Sequence, residues 1–313
     1  MKDEPEVLEQ TYQLYLKSNY AEAYDLLMEA GDRYPAWTGR FYEIRVDLAA
    51  VMGKLELAEE ILAKALDEGY FYNEFVLRKD DDLKFLQGRP RFETLVERSF
   101  KMLADAQAEA RPETKIIEPQ SPVQGNTPFF MGLHGNNSHA EGFSGYWGYL
   151  TAHQWLVALP QSSQVSAKGL YVWNDMEMVE RELTAHYHTL QSSYPLDPAK
   201  TVIGGFSKGG HAAIHSVLRG LFPICGFIAM VPYVGDLSTI LPLLGTPGQE
   251  KLRGYFLLGE KDEHCTPGAV KLEKILGEHG IQCGLEIFPN MAHDIPEDFD
   301  PVLQRAVEFI LND

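Results

Sequence analysis

The sequence predicts a mostly parallel α/β sheet with helices on both faces, preceded by a small all-α domain. Beyond about residue 127, short apolar runs alternate with amphipathic stretches, the grammar of strands joined by crossover helices. Before about residue 105 the chain reads as helices throughout. Between a β-branched run, Thr201-Val202-Ile203, and a helical stretch from His211 lies Gly205-Phe206-Ser207-Lys208-Gly209. Small residues two places either side of a serine allow a sharp strand-to-helix turn that holds its hydroxyl in the open.

Composition narrows the possibilities. At 313 residues, 45% hydrophobic and 23% charged, the chain has room for one large domain or for two, with a real core. A formal net charge of -18 argues against nucleic acid or an anionic membrane surface as a partner. The start, Met1-Lys2-Asp3-Glu4-Pro5-Glu6, is charged and lacks the apolar core of a signal peptide. No stretch approaches the roughly 18 apolar residues of a membrane span. A cytoplasmic protein is expected. Cys225, Cys265 and Cys283 form no C-x-x-C pair, so they are expected as small buried residues in a reducing compartment, not as a disulfide framework or zinc site.

Residues 1–105 carry one internal echo. Tyr20–Ala30 resembles Leu55–Ala65, with Ala23 matching Ala58, Leu26 matching Ile61 and Leu27 matching Leu62. Helical stretches at Val7–Lys17 and Phe41–Met52 precede the two copies, with turns at Asn19 and Gly53. Paired helices repeating at about 34 residues resemble tetratricopeptide repeats, although the Trp, Gly and Tyr consensus positions are mostly absent. Asp80–Leu86 and Arg89–Leu95 read as a closing pair of short helices, with Asp80–Asp82 favouring a helix start. Two repeats are few for an independent solenoid. These helices are expected to pack on the next domain, where they could shape its entrance or contact a second copy or a protein partner.

Residues 106–127, with Pro112, Pro119, Pro122 and Gly125, read as a linker entering an edge hairpin whose first strand is Thr114–Glu118. The catalytic region is expected over 128–313. Its strands are expected at Phe129–Leu133, Trp155–Leu159, Thr201–Ile203, Gly226–Val231, Tyr255–Leu258 and Gly284–Phe288. Its helices are expected at Met176–Ser192, Lys208–Arg219, Gly268–His279 and Pro301–Asn312.

A serine hydroxyl is a weak nucleophile at neutral pH. It needs a base, an acid to orient that base, and donors for an oxyanion. His293 follows a strand in Phe288-Pro289-Asn290-Met291-Ala292-His293 and is the base candidate. Asp262 follows Tyr255–Leu258 and a turn and is the acid candidate, with Glu260, Glu263 and Asp294 as rivals. The oxyanion donors are expected to be the backbone N–H of Lys208 and a group from the loop His134-Gly135-Asn136, assigned to Asn136. His134 is expected to hold that loop in shape; a metal site on His134 and His139 lacks a matching third ligand.

Together, His134-Gly135, Ala158–Gln164, Gly204–Gly210, Gly259-Glu260-Lys261-Asp262 and Met291-Ala292-His293 resemble the phospholipase/carboxylesterase family of α/β hydrolases over about residues 115–313. The resemblance implies an α/β-hydrolase sheet, hydrolysis of carboxylic esters, here of a small molecule, through an acyl-enzyme, and no cofactor; no metal is expected. It places the nucleophile on Ser207, the acid on Asp262, the base on His293 and the oxyanion donors on Asn136 and Lys208. Lys208 stands where a glutamine is common, which leaves the backbone donor intact and adds a positive charge. The N-terminal helices lie outside the minimal family.

Trp147, Trp173 and Tyr233, in loops or at strand ends, are the substrate-binding candidates, because apolar pockets suit an acyl chain or aromatic ester. A peptidase or an acyltransferase would share the fold. A scaffold that recruits a partner through its N-terminal helices belongs to a different class, and an intact set of catalytic parts argues against it.

Overall fold

The computed structural model describes residues 6–235 and 237–312; the charged segment Met1–Pro5 lies outside them. The chain divides into two units, each with its own core.

The first unit runs to Ala110 and adds Val165–Gly169. Helices α1 (Glu6–Leu16) and α2 (Tyr20–Ala30) form one pair, and α3 (Thr38–Val51) and α4 (Leu55–Asp67) a second. Ala23, Leu27 and Ala30 are buried on α2, as are Ala58, Ile61, Leu62, Ala65 and Leu66 on α4. That spacing keeps them on one helical face. After α5 (Glu74–Lys79), the Asp80 carboxylate accepts the Asp82 N–H at 2.9 Å and opens a short 3₁₀ turn at Asp81–Leu83. The closing pair of short helices is corrected, because its second member is α6 (Pro90–Glu109), a single helix of 20 residues. No Gly or Pro interrupts residues 91–109, and Ala104, Ala106 and Ala108 favour helix. The proline-rich segment therefore starts only at Pro112. Just ahead of α6, Arg89 donates to the buried Glu59 carboxylate at 2.7 Å and to Glu56 at 2.7 Å, tying α4 to the start of α6.

In chain order the strands are β1 (Glu113–Ile117), β2 (Thr127–Leu133), β3 (Leu156–Gln161), the short β4 (Val165–Ala167) and β5 (Leu170–Tyr171), β6 (Leu196–Phe206), β7 (Gly226–Met230), β8 (Arg253–Gly259) and β9 (Gln282–Phe288). The main sheet has the order β1-β3-β2-β6-β7-β8-β9 and is parallel except at β1. The expected edge hairpin is corrected: β1 pairs with β3, not with β2. The segment after β1 joins two strands that β3 separates in the sheet, so it is a crossover and not a hairpin turn. It rounds the start of β3 instead, fastened by Gln120 N–H to the Thr151 carbonyl at 2.9 Å.

Side chains of the central strands divide between two cores with the period of two that a pleat imposes. Phe129, Met131, Ile203, Phe227 and Phe256 join one core; Phe130, Val202, Ile228 and Leu257 join the other. The first is covered by α8 (Met176–Ser193), α9 (Lys208–Arg219) and α10 (Thr266–Glu278). The second is covered by α7 (Gly148–Ala152) and α11 (Phe299–Leu311), so helices lie on both faces. Among the described residues, no helix is long and apolar enough to cross a membrane.

Trp147 anchors the second core. It is 1% exposed, its ring centroid lies 4.7 Å from Phe130 and 6.0 Å from Phe299, and its Nε1–H donates to the Phe143 carbonyl at 2.8 Å. Trp147→Ala is expected to lower unfolding free energy by about 3–5 kcal/mol in urea denaturation. Tyr12→Ala, at a residue 55% exposed, should change it by less than about 0.5 kcal/mol.

Candidate active site

Parallel strands deliver their C-terminal ends to one edge of the sheet, and loops leaving that edge are where such sheets build sites. Ser207 leaves β6 there. Its backbone has φ 54° and ψ -118°, a conformation an L-residue rarely holds, costing on the order of 1–3 kcal/mol. The surroundings hold it in place. Its N–H donates to the Met230 carbonyl at 2.9 Å, and its carbonyl accepts Tyr233 N–H at 3.0 Å and His211 N–H at 3.2 Å. The flanking glycines are sterically required. A Cβ on Gly205 would lie 2.3 Å from the Gly209 carbonyl, and one on Gly209 would lie 2.2 Å from the His134 carbonyl oxygen.

Asp262 follows β8 and His293 follows β9. The Asp262 carboxylate is 5% exposed, and His293 Nδ1 meets its Oδ2 at 2.6 Å. Its Oδ1 accepts Cys265 N–H at 2.9 Å and His264 N–H at 3.2 Å. Burial opposes its charge, but the His293 ring and the two N–H groups outweigh burial and hold its pKa below the ordinary value. The His293 loop crosses the end of β8 so closely that a Cβ on Gly259 would lie 2.2 Å from the Ala292 carbonyl oxygen. The rival acids are engaged elsewhere or open to solvent: Glu260 accepts Asn290 N–H, Asp294 accepts Ile295 N–H, and Glu263 is exposed. The His293 ring packs on Phe206, the residue before Ser207, with centroids 4.9 Å apart. Among the described residues no hydrogen bond joins it to Ser207 Oγ; unliganded sites often close this contact only around substrate.

The loop after β2 supplies the third part. His134 is fully buried, and burial pushes its pKa down to about 4, against the pull of the Gly135 carbonyl. The neutral ring has one consistent arrangement: Nδ1–H donates to the Gly135 carbonyl at 2.7 Å, and Nε2 accepts from Gln161 at 3.1 Å. Both nitrogens are therefore taken, which leaves the His134/His139 metal reading without its first ligand. The Asn136 side chain is also committed, accepting Trp173 N–H at 2.8 Å and donating to Asn174 at 2.9 Å. Lys208 opens α9, where first-turn N–H groups have no intrahelical acceptor. The contact between Gly209 and His134 brings this loop against that helix start.

Residues 3–107 match the family model described as A/B hydrolase-like, N-terminal domain. The structure is similar to that of an uncharacterized protein from Bacillus cereus ATCC 10987 over 97% of this chain and 98% of the other, at 26% identity and a TM-score of 0.55. It is similar to a Bacillus cereus carboxylesterase over 66% of this chain and 99% of the other, at 14% identity and a TM-score of 0.52. A ferulic acid esterase is similar over 64% of this chain and 92% of its own, at 15% identity and a TM-score of 0.50. None of the curated proteins matches the sequence.

The chain has the α/β-hydrolase fold.

On this hydrolase sheet the three substrate-binding candidates stand in different places. Trp147 is in the core. Trp173 is fully buried, and its Nε1–H props the oxyanion-loop candidate by donating to the His134 carbonyl at 2.8 Å. Tyr233, 48% exposed and bonded through its N–H to the Ser207 carbonyl, is open to a ligand. Gln161 was not singled out from the sequence. Its Oε1 accepts Ala140 N–H at 2.8 Å while its amide meets His134, and a polar residue closing an apolar strand was the available signal. Asp262, Cys265 and His293 bring a carboxylate oxygen, a thiol and a ring nitrogen within 4.8 Å of one another, the groups that could hold a soft metal ion. Burial first, then Asp262, pushes the Cys265 thiol up to about 12. A cleft of about 650 Å³ lies against Met291, Ile295, Pro296 and Arg305, and neither Ser207 nor His293 lines it.

Two buried histidines set a pH dependence. His211 is 2% exposed, and burial, then the Lys208 charge, pushes it down to about 4, as burial does for His134. An unfolded ring titrates near 6.5, so the unfolded state binds protons first as pH falls. Stability is fully present above about pH 6.5 and is lost towards about pH 4, by about 3 kcal/mol per ring. Urea midpoints measured from pH 7 to 4 should fall, and should fall less steeply in His211→Met.

Proposed function

We propose that the chain is a serine hydrolase of carboxylic esters, working through an acyl-enzyme. What carries the reading is the pairing of a strained serine at the β6–α9 turn with a buried Asp262–His293 hydrogen bond at neighbouring strand ends. Ser207 Oγ attacks the ester carbonyl while His293 takes its proton at Nε2. Asp262, bonded to Nδ1, fixes the tautomer and stabilises the imidazolium. The backbone N–H groups of Lys208 and Asn136 hold the oxyanion of the tetrahedral intermediate. Collapse breaks the bond to the alcohol, which leaves with the proton from His293. Water, activated by His293, then attacks the acyl-enzyme and releases the acid and free Ser207.

Ser207→Ala is expected to lower hydrolysis of a short p-nitrophenyl ester by ~10⁴-fold or more. Turnover near the wild-type level in that variant rules out Ser207 as nucleophile.

A further inference from the structure

We propose that Lys208 makes the elbow a binding place for an anionic group, so that the preferred substrates are esters bearing a carboxylate or another anion. This rests on the serine-hydrolase reading of Ser207. Carboxylates outnumber the basic side chains of this chain, 45 to 27. Yet among the described residues Lys208, immediately after the nucleophile, has no ion pair. Its neighbour is aromatic: Nζ lies 5.6 Å from the centroid of the Tyr233 ring. A cation within about 6 Å of a ring face is attracted to it. That contact leaves the ammonium hydrogens free to donate.

The placement is costly unless a ligand uses it. Lys208 is half-buried, and loss of hydration pushes its pKa down. Three positions along α9, buried His211 is held neutral by the same environment and by the Lys208 charge itself, and among the described residues its Nδ1 has no partner. The start of α9 adds the positive end of a helix dipole. Tyr233 and Lys208 flank Ser207 from two segments, one through its hydrogen bond to the Ser207 carbonyl and the other through the peptide bond. An anionic substituent on either half of the ester would find this unpaired, partly desolvated cation on the residue next to Ser207. Charge-assisted hydrogen bonds in such surroundings are worth roughly tenfold or more in affinity.

The test compares anionic and neutral partners on each half of the ester. On the acyl side, p-nitrophenyl hemiglutarate is set against p-nitrophenyl pentanoate. On the alcohol side, 4-acetoxybenzoate is set against its methyl ester. Wild type should prefer the anion in kcat/KM in at least one pair. Lys208→Gln should cut that preference by roughly tenfold or more, chiefly through KM, and Lys208→Arg should retain it. Calorimetric titration with glutarate reads the same site without turnover, and binding should be lost in Lys208→Gln. Hydrolysis with no charge preference, or a preference that Lys208→Gln leaves intact in both pairs, overturns the proposal. Glutarate binding that depends on Lys208, with no ester hydrolysed, overturns the esterase reading and keeps the anion site.

Discussion

The carbonyl oxygen of His134 lies where a side chain on residue 209 would begin, and much of the site follows from that close approach. Three segments meet there: the end of β2, the end of β6 and the first turn of α9. Removing Cβ at positions 205 and 209 lets the helix start directly under the loop. Ser207 is then forced into a backbone conformation that it would not choose alone. The hydrogen bonds to Met230, Tyr233 and His211 hold it there. The same logic recurs at Gly259, where the absence of a side chain lets the His293 loop cross the end of the strand that leads to Asp262.

Much of this was legible in the sequence because the sheet is parallel. Buried parallel strands read as apolar runs, and their C-terminal ends share one edge. Ser207, Asp262 and His293 could therefore be grouped by their position after strands, without knowledge of any distance. The bounds of α2 and α9 agree with their sequence patterns to the residue. Short elements such as α5, α7, β4 and β5 were not legible, since two to six residues carry no readable period. The path of β1 was not legible either, because a strand's own residues do not say which neighbour it will pair with. Supporting contacts were hidden for a similar reason. Gln161 and His134 stand 27 positions apart, and the link between them exists only once β2 and β3 lie side by side. Trp147 and Trp173 look like pocket aromatics in a string of loop residues; their burial depends on what folds over them.

The polar groups around the site are arranged by acceptor and donor more than by charge. His134 is kept neutral by burial and works as a hydrogen-bonding spacer between two segments. Asn136 spends its side chain on Trp173 and Asn174, which orients its backbone. Asp262 receives three donors, two of them backbone N–H groups of its own loop, and keeps its charge despite burial. Such a network is rigid because each member has few alternatives.

Position 208 separates two properties that usually travel together. The proposed contribution to reaction rate comes from the main chain, which every residue type except proline supplies. The proposed contribution to substrate choice comes from the side chain. On the proposed reading, exchanges at this one position redirect substrate choice while leaving the atoms of the proposed oxyanion donor in place, so selection could act on the range of esters accepted without first dismantling the chemistry that would cleave them.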